Sequence, residues 1–359
     1  MRLDPVKPLY DADGPYVTVH LDVSRDTEDA RQQLDARWTT TRHDLEHAGV
    51  APDLIEEIGS RLHETVHVPG EVRRTMVAAG GELVFDELTP GHTVLPETVT
   101  TGPLPDLAGW MSLADAGTTY LLVLVDRAGA DLQLFAGHER RPLREVSVEG
   151  TTENITKVPE GGWAQQEYQS RTEQQWRDNA RDVAEAVRSL CREAAPRVVL
   201  LAGDVRARTL LAEDLHGIHP DVVQLDTGGR AAGTSEEALE QEVRRVLAVY
   251  EAHDEQDVAE TLDRGRATGK GVATGLDAVL DALVRAEVDR LVLDLQAAHE
   301  LTVRPADHPG LTLPGSAATA TELPADQVLV AAAAATGAEV VVLPRELAHG
   351  GGVSATLRF

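Results

Sequence analysis

The sequence predicts a mixed α/β protein of three domains, an N-terminal α+β domain followed by two α/β domains. Three observations carry that expectation. Strand-like segments alternate with helical periodicities through the last two thirds of the chain. Apolar residues make up 42% of its 359 residues, enough for more than one core. A stretch dense in Pro, Gly and Thr, "TPGHTVLPETVTTGPLPDLAGW" (residues 89–110), separates the opening region from the rest. The expected domains are residues 1–113, 118–260 and 261–359.

Residues 15–23, "PYVTVHLDV", alternate as a strand does, and residues 27–49 then place apolar side chains at helical spacing up to a stop at Gly49. A second helix is expected over "APDLIEEIGSRLHETVHV" (51–68), with Pro52 at its start, followed by a strand over "GELVFDEL" (81–88). From Thr119 to Gly150 the pattern is strand, tight turn, strand, turn, strand. A long polar helix follows, from residue 166 to about 194. "RVVLLAG" (197–203) reads as a buried strand, with Asp204 capping a helix over 205–215. A strand over "VVQLDTGG" (222–229) and a helix over 235–253 complete the second domain. The third repeats this grammar: helices over 258–269 and 275–287, a strand over 288–294, a helix over 325–337, a strand over 338–344, and a closing "GGVSATLRF". There is no long internal repeat.

Composition narrows the function. No apolar run approaches the roughly 20 residues of a membrane helix, and "MRLDPVKPLY" lacks a signal-peptide core, so a cytoplasmic location is expected. The single cysteine, Cys191, excludes an internal disulfide framework and multi-cysteine zinc sites, and its helical context suits core filling. The formal net charge of −27 argues against indiscriminate nucleic-acid binding. The charge is uneven, however. Residues 1–110 hold nine basic against twenty acidic side chains, whereas residues 151–200 hold seven against eight.

Three motifs invite enzymatic readings, and each falls short. "HETVH" (His63 to His67) matches the zinc-peptidase spacing, but Pro69 ends the helix at once and Arg73 stands where a third histidine ligand would be. His43 and His47 share the spacing without the intervening glutamate. "GRATGKG" (265–271) has three residues rather than four before Gly-Lys, then Gly271 instead of Ser or Thr, and reads as a flexible turn between helices. No Gly-x-Ser-x-Gly elbow occurs. No metal or cofactor is expected.

One stretch remains, "KVPEGGWAQQEYQSRTEQQWRD" (157–178), in which two glycines and a tryptophan precede the long helix. Adjacent glycines allow close backbone approach to a ligand at an entropic cost. Together with "YLLVLVDRAGADLQLFAG" (120–137), "GKGVATGLDAVLDALVRAEVDRLVLD" (269–294) and "GAEVVVLPRELAHGGGVSATLRF" (337–359), it resembles the archaeo-eukaryotic class of peptide-chain release factors, in its bacterial branch, which includes ribosome hibernation factors. The resemblance covers residues 118–359 in order. Residues 1–113 carry no matched motif.

The resemblance implies a ribosome-associated factor in the aminoacyl-tRNA site, with the Gly161-Gly162 loop near the peptidyl-transferase centre and the C-terminal domain facing a translational GTPase such as elongation factor Tu. In release factors the residue after the glycines is a glutamine that places water against the peptidyl ester. Here it is Trp163, whose indole has one N–H donor and no acceptor, but whose flat face suits stacking on an unpaired base. The expectation is therefore occupancy of the ribosome without hydrolysis, in hibernation or stress, with a peptidyl-tRNA hydrolase or rescue enzyme as the alternative. Packing of Trp163 on its own domain is the competing use of that side chain. Lys157, Arg140, Arg141, Arg144, Arg171 and Arg177 are the candidate contacts to rRNA phosphates. The two helix arginines equally suit pairs with Glu167 and Glu173 one turn earlier.

Overall fold

The computed structural model describes residues 3–12, 14–25, 29–64, 71–91, 93–114, 118–135, 142–150, 163–227 and 236–359, the side chains of 163–172 and 236 excepted. The fold is mixed α/β, as the alternation predicts. Two compact units emerge: residues 1–116 with 254–359, and residues 117–253.

In the first unit the N-terminal segment comprises β1 (Tyr16–Asp22), α1 (Ala30–His47), α2 (Pro52–His63), β2 (Val72–Ala79), β3 (Glu82–Pro90), β4 (Thr98–Gly102) and α3 (Ala108–Ala114). Its sheet is antiparallel, in the order β3-β2-β1-β4, and Leu34, Leu45, Leu54 and Ile58 of the two long helices pack on Val19, Leu21 and Met76. β2 and β4 are absent from the sequence reading for physical reasons. β2 carries Arg73 and Arg74 inside its apolar pattern. Arg74 is buried because Asp86 takes its Nε and Nη2 at 2.6 Å each and Glu64 its Nη2 at 3.0 Å. β4 hides in the Thr-rich stretch and is held by pairing with β1. α2 ends at His63, five residues before the expected end, with Glu64 already extended.

The middle unit contains β5 (Tyr120–Val125), β6 (Gly129–Phe135), β7 (Arg144–Glu149), α4 (Trp163–Ala194), β8 (Val198–Gly203), α5 (Val205–Asp214) and β9 (Asp221–Gln224), and the first part of α6 (Glu236–Thr268). The strand order is β7-β6-β5-β8-β9, antiparallel on the β7 side and parallel across β5, β8 and β9. α4 and α5 cover one face through Val183, Val187, Leu190 and Leu211, while Val243, Val246 and Leu247 of α6 cover the other. The sequence suggests two helices over 235–269. They are one, because the intervening "DEQD" (254–257) contains no Gly or Pro to break it.

The C-terminal segment comprises β10 (Val272–Thr274), α7 (Leu276–Val284), β11 (Val288–Leu293), α8 (Leu295–His299), β12 (Thr302–Val303), α9 (Gly315–Ala318), β13 (Leu323–Pro324), α10 (Ala325–Thr336), β14 (Glu339–Val342), α11 (Arg345–Ala348) and β15 (Val353–Leu357). Its main sheet runs β10-β15-β11-β14, with β11 and β14 parallel. The phosphate-loop-like "GRATGKG" is the end of α6 and the turn into β10, with Gly269 and Gly271 at φ +67° and +71°, not a turn between helices. Leu3, Val6, Leu9, Tyr16 and Trp110 share one core with Leu280, Leu283, Val328 and Leu329. That core joins residues about 300 positions apart, which local pattern does not reveal.

Candidate functional site

The site is built where the sheet of the middle unit meets α4, the helix behind the two glycines. β5 leads into Asp126 and Arg127. The Asp126 carboxylate accepts the N–H groups of Ala128 at 2.7 Å and Gly129 at 2.9 Å, closing the tight turn into β6. Gly129 is required there, since a Cβ would sit 2.0 Å from the Val148 carbonyl oxygen. The Arg127 carbonyl, exposed by that turn, accepts Nδ2 of Asn179 at 3.0 Å. Asn179 is buried and occupies the space a side chain on Gly150 would need, with Cγ 2.3 Å from the ideal Cβ.

One turn earlier on α4, two guanidinium groups approach the Trp176 ring, Arg127 at 4.6 Å and Arg206 at 5.6 Å from its centroid. Each such contact at a partly exposed site contributes on the order of 0.5–1 kcal/mol. The arginines are held in turn. Asp204 accepts from Arg127 Nε at 3.2 Å while capping α5 through the N–H groups of Arg206 and Ala207 at 3.0 and 3.1 Å. Glu173 takes Arg206 Nη2 at 2.5 Å. A small cleft beside this cluster is lined by Val125, Arg127, Trp176, Asn179, Ala207 and Leu210.

The consequence is mechanical. From Ala180 to Cys191, α4 is packed into the core, and burial pushes the Cys191 thiol up. At Trp176 and Asn179 it is clamped by polar contacts. From there to Trp163 it extends 13 residues, about 20 Å at 1.5 Å per residue.

Of the candidate contacts, Gly161, Gly162, Lys157, Arg140 and Arg141 lie outside the described residues. Trp163 is the first residue of α4, three before the expected start, and Arg171 lies within the helix; their side chains lie outside the described set. Arg144 opens β7 and donates to Glu193, whose carboxyl is held below the usual range by that hydrogen bond and by the arginine's charge. Arg177 is exposed and makes no ion pair among the described residues. Glu173, a suggested partner for Arg177, engages Arg206 from α5 instead, because the tertiary clamp offers two neighbouring attractions at once. Sequence reasoning missed Arg127, Trp176, Asn179 and Arg206, and read Asp204 only as a helix cap. The legible signal was a tryptophan in the middle of an otherwise polar helix, "EQQWRDN".

His63 has both ring nitrogens engaged, Nδ1 with the Gly59 carbonyl at 2.7 Å and Nε2 with Asp35 at 3.0 Å; His67 lies outside the described residues. Among the described residues, no group of three or more His, Cys, Asp or Glu is placed to hold a metal ion, and no helix is long and apolar enough to cross a membrane.

Residues 119–268 match the model of bacterial archaeo-eukaryotic release factor family 2. The resemblance to the bacterial archaeo-eukaryotic release factor family read from the motifs is borne out over these residues. An uncharacterized protein found in two strains of Mycobacterium tuberculosis is 29% identical over 374 aligned residues, covering 100% of this chain and 97% of its own. Among solved structures, an archaeal translation termination factor is 18% identical, covering 99% of this chain and 96% of that one, with a TM-score of 0.25. An archaeal Pelota described as ribosome-bound with ABCE1 is 16% identical over 99% and 94% of the two chains, with a TM-score of 0.44. Pelota of Archaeoglobus fulgidus is 16% identical over 82% and 86%, with a TM-score of 0.33.

Proposed function

We propose that this protein is a ribosome-associated factor that enters the aminoacyl-tRNA site and protects idle or stalled ribosomes without hydrolysing peptidyl-tRNA. The observation that carries the reading is the family match over residues 119–268 combined with what stands behind the two glycines inside it: a tryptophan that already belongs to a helix. A glutamine there would orient water; an indole has no acceptor with which to do so. Gln165 and Gln166 lie in the first turn of α4, two and three residues beyond the position directly after the glycines. A displacement of about 1 Å can cost on the order of a hundredfold in rate, so a carboxamide moved along the chain is a poor substitute.

In this reading the clamp at Trp176 and Asn179 supports the helix while Trp163 stacks on an unpaired base. Lys157, Arg140, Arg141, Arg144, Arg171 and Arg177 face rRNA phosphates, and the acidic surface faces away. The C-terminal segment meets a translational GTPase, elongation factor Tu. The test is cosedimentation of the full chain with ribosomes from growing and starved cells. Binding is expected with a shallow dependence on salt, since few arginines are available to displace counterions. Absence from the ribosomal pellet at every salt concentration in both states would overturn the proposal.

A further inference from the structure

We propose that Arg208 anchors a phosphate-binding site at the carboxyl end of the parallel strands of the middle unit. Arg208 lies on α5, and its backbone N–H bonds to the Asp204 carbonyl at 2.9 Å. Its side chain is buried, 5% of the residue being exposed, yet Nε and Nη1 have no hydrogen-bond partner among the described residues. A guanidinium keeps its proton and presents five donors, so two buried nitrogens with no partner among the described residues call for an occupant.

The neighbouring carboxylate is Asp226, with Oδ1 3.9 Å from Nη1, beyond hydrogen-bond distance, and its side chain is fully exposed. The adjacent Thr227 has its Oγ1 buried, also without a partner among the described residues. Arg208 thus lies near Asp226 in space and Thr227 follows it in sequence, while the Asp226 carboxylate points to solvent. β5, β8 and β9 run parallel and end at Val125, Gly203 and Gln224, with Leu225 extending the pairing to Leu201 at 2.8 Å. Arg208 and Thr227 thus lie at the strand ends, the edge at which open α/β sheets receive ligands. At the same edge the Asp126 and Asp204 carboxylates are engaged by backbone N–H groups, leaving the arginine's donors unshared.

The ligand chemistry follows from the donors. Nη1 of Arg208 can donate a charge-assisted hydrogen bond to a phosphoryl oxygen, and the hydroxyl of Thr227, next to Asp226 in the chain, is a further donor at that strand end. Asp226 is the group that entry displaces, into the solvent it already faces. The inference stands on this cluster alone and does not depend on the ribosome reading.

The experiment follows thermal unfolding and calorimetric binding of the full chain with sodium phosphate against sodium chloride at matched ionic strength, for wild type, Arg208→Lys and Asp226→Asn. Phosphate is expected to stabilise the wild type specifically. Asp226→Asn should bind it several-fold more tightly, and Arg208→Lys should lose the response. Asp226→Asn, at an exposed position, keeps the test valid if Arg208→Lys fails to fold. A phosphate response absent from both wild type and Asp226→Asn would overturn the site. So would an Asp226→Asn variant that unfolds at lower temperature with no gain in phosphate affinity, the behaviour of a purely structural ion pair. A single-stranded oligouridylate beside uridine 5′-monophosphate identifies the source. Tighter binding of the oligonucleotide points to an RNA backbone and equal binding to a terminal phosphate ester; either result supports the site.

Discussion

Helices α4 and α6 are nearly equal in length, 32 and 33 residues, and use it in opposite ways. α4 buries one continuous stripe, Ala180, Val183, Ala184, Val187, Leu190 and Cys191, and is then clamped at Asn179 and Trp176 by polar contacts. α6 buries apolar side chains at both ends, Val243, Val246 and Leu247 in one core, Val258 and Leu262 in another, and between them residues 251–257 bury none. A helix that is polar all round needs support from its flanks. Among the described side chains, α4 is anchored over one continuous stretch from Trp176 to Cys191, and α6 at two separate places. The family match includes both, but α4 alone starts directly behind the two glycines.

The largest expected effect tests the two anchorages of α6. Leu247→Ala and Leu262→Ala each delete a buried leucine and should cost about 2–5 kcal/mol. Hydrogen exchange should report the loss around β5 and β8 for the first and around β11 for the second. If either variant deprotected both regions equally, α6 would be one cooperative element and the contrast with α4 would be lost.

The clamp of α4 comes next. Gly150→Ala drives a methyl group against Asn179 and should cost on the order of 1–3 kcal/mol, in the range of other overpacked sites. Combining it with Asn179→Ala removes the clash, so a double-mutant cycle in chemical denaturation should show strong coupling. Additive effects would mean that Gly150 and Asn179 do not share the space assigned to them.

The smallest effect separates a tertiary tie on α4 from a local one on α6. Glu193 is held below the usual carboxylate range by its hydrogen bond to Arg144 on β7, and Glu242 by its hydrogen bond to Arg245 on the same helix. For both, the folded pKa lies below the unfolded one. Their contribution is therefore present above the ordinary carboxylate range and fades as pH falls through the folded value. In an NMR titration, Arg144→Ala should return Glu193 toward the ordinary value and Arg245→Ala should do the same for Glu242. Only Arg144→Ala should weaken the packing of the C-terminal end of α4 on β7. An unchanged Glu193 titration in Arg144→Ala would remove the tie.

The sequence made much of this legible, and the failures have physical causes. β5, β6, β7 and β8 were readable because strands with a buried face alternate or run apolar, and Asp204 announced the start of α5 by its capping chemistry. The start of α4 was placed three residues late because no side-chain cap marks it. β2 was obscured by Arg74, whose burial depends on Asp86 from the next strand and Glu64 from the end of α2. The clamp was invisible for the same reason: Arg127, Trp176 and Arg206 follow β5, lie within α4 and lie within α5, and only the fold brings them together. The one signal of it was Trp176, an aromatic side chain in a polar helix.

The central claim is occupancy of the ribosome without hydrolysis, and one pelleting measurement addresses it. Ribosomes carrying labelled peptidyl-tRNA are incubated with the full chain and sedimented, and both the protein and the ester-linked label are counted in the pellet. The account predicts that the protein pellets with the ribosomes and that the label stays attached to tRNA, for the wild type and for Trp163→Ala where it still binds. Release of the labelled peptide by the wild type, or a protein that remains in the supernatant, would contradict it.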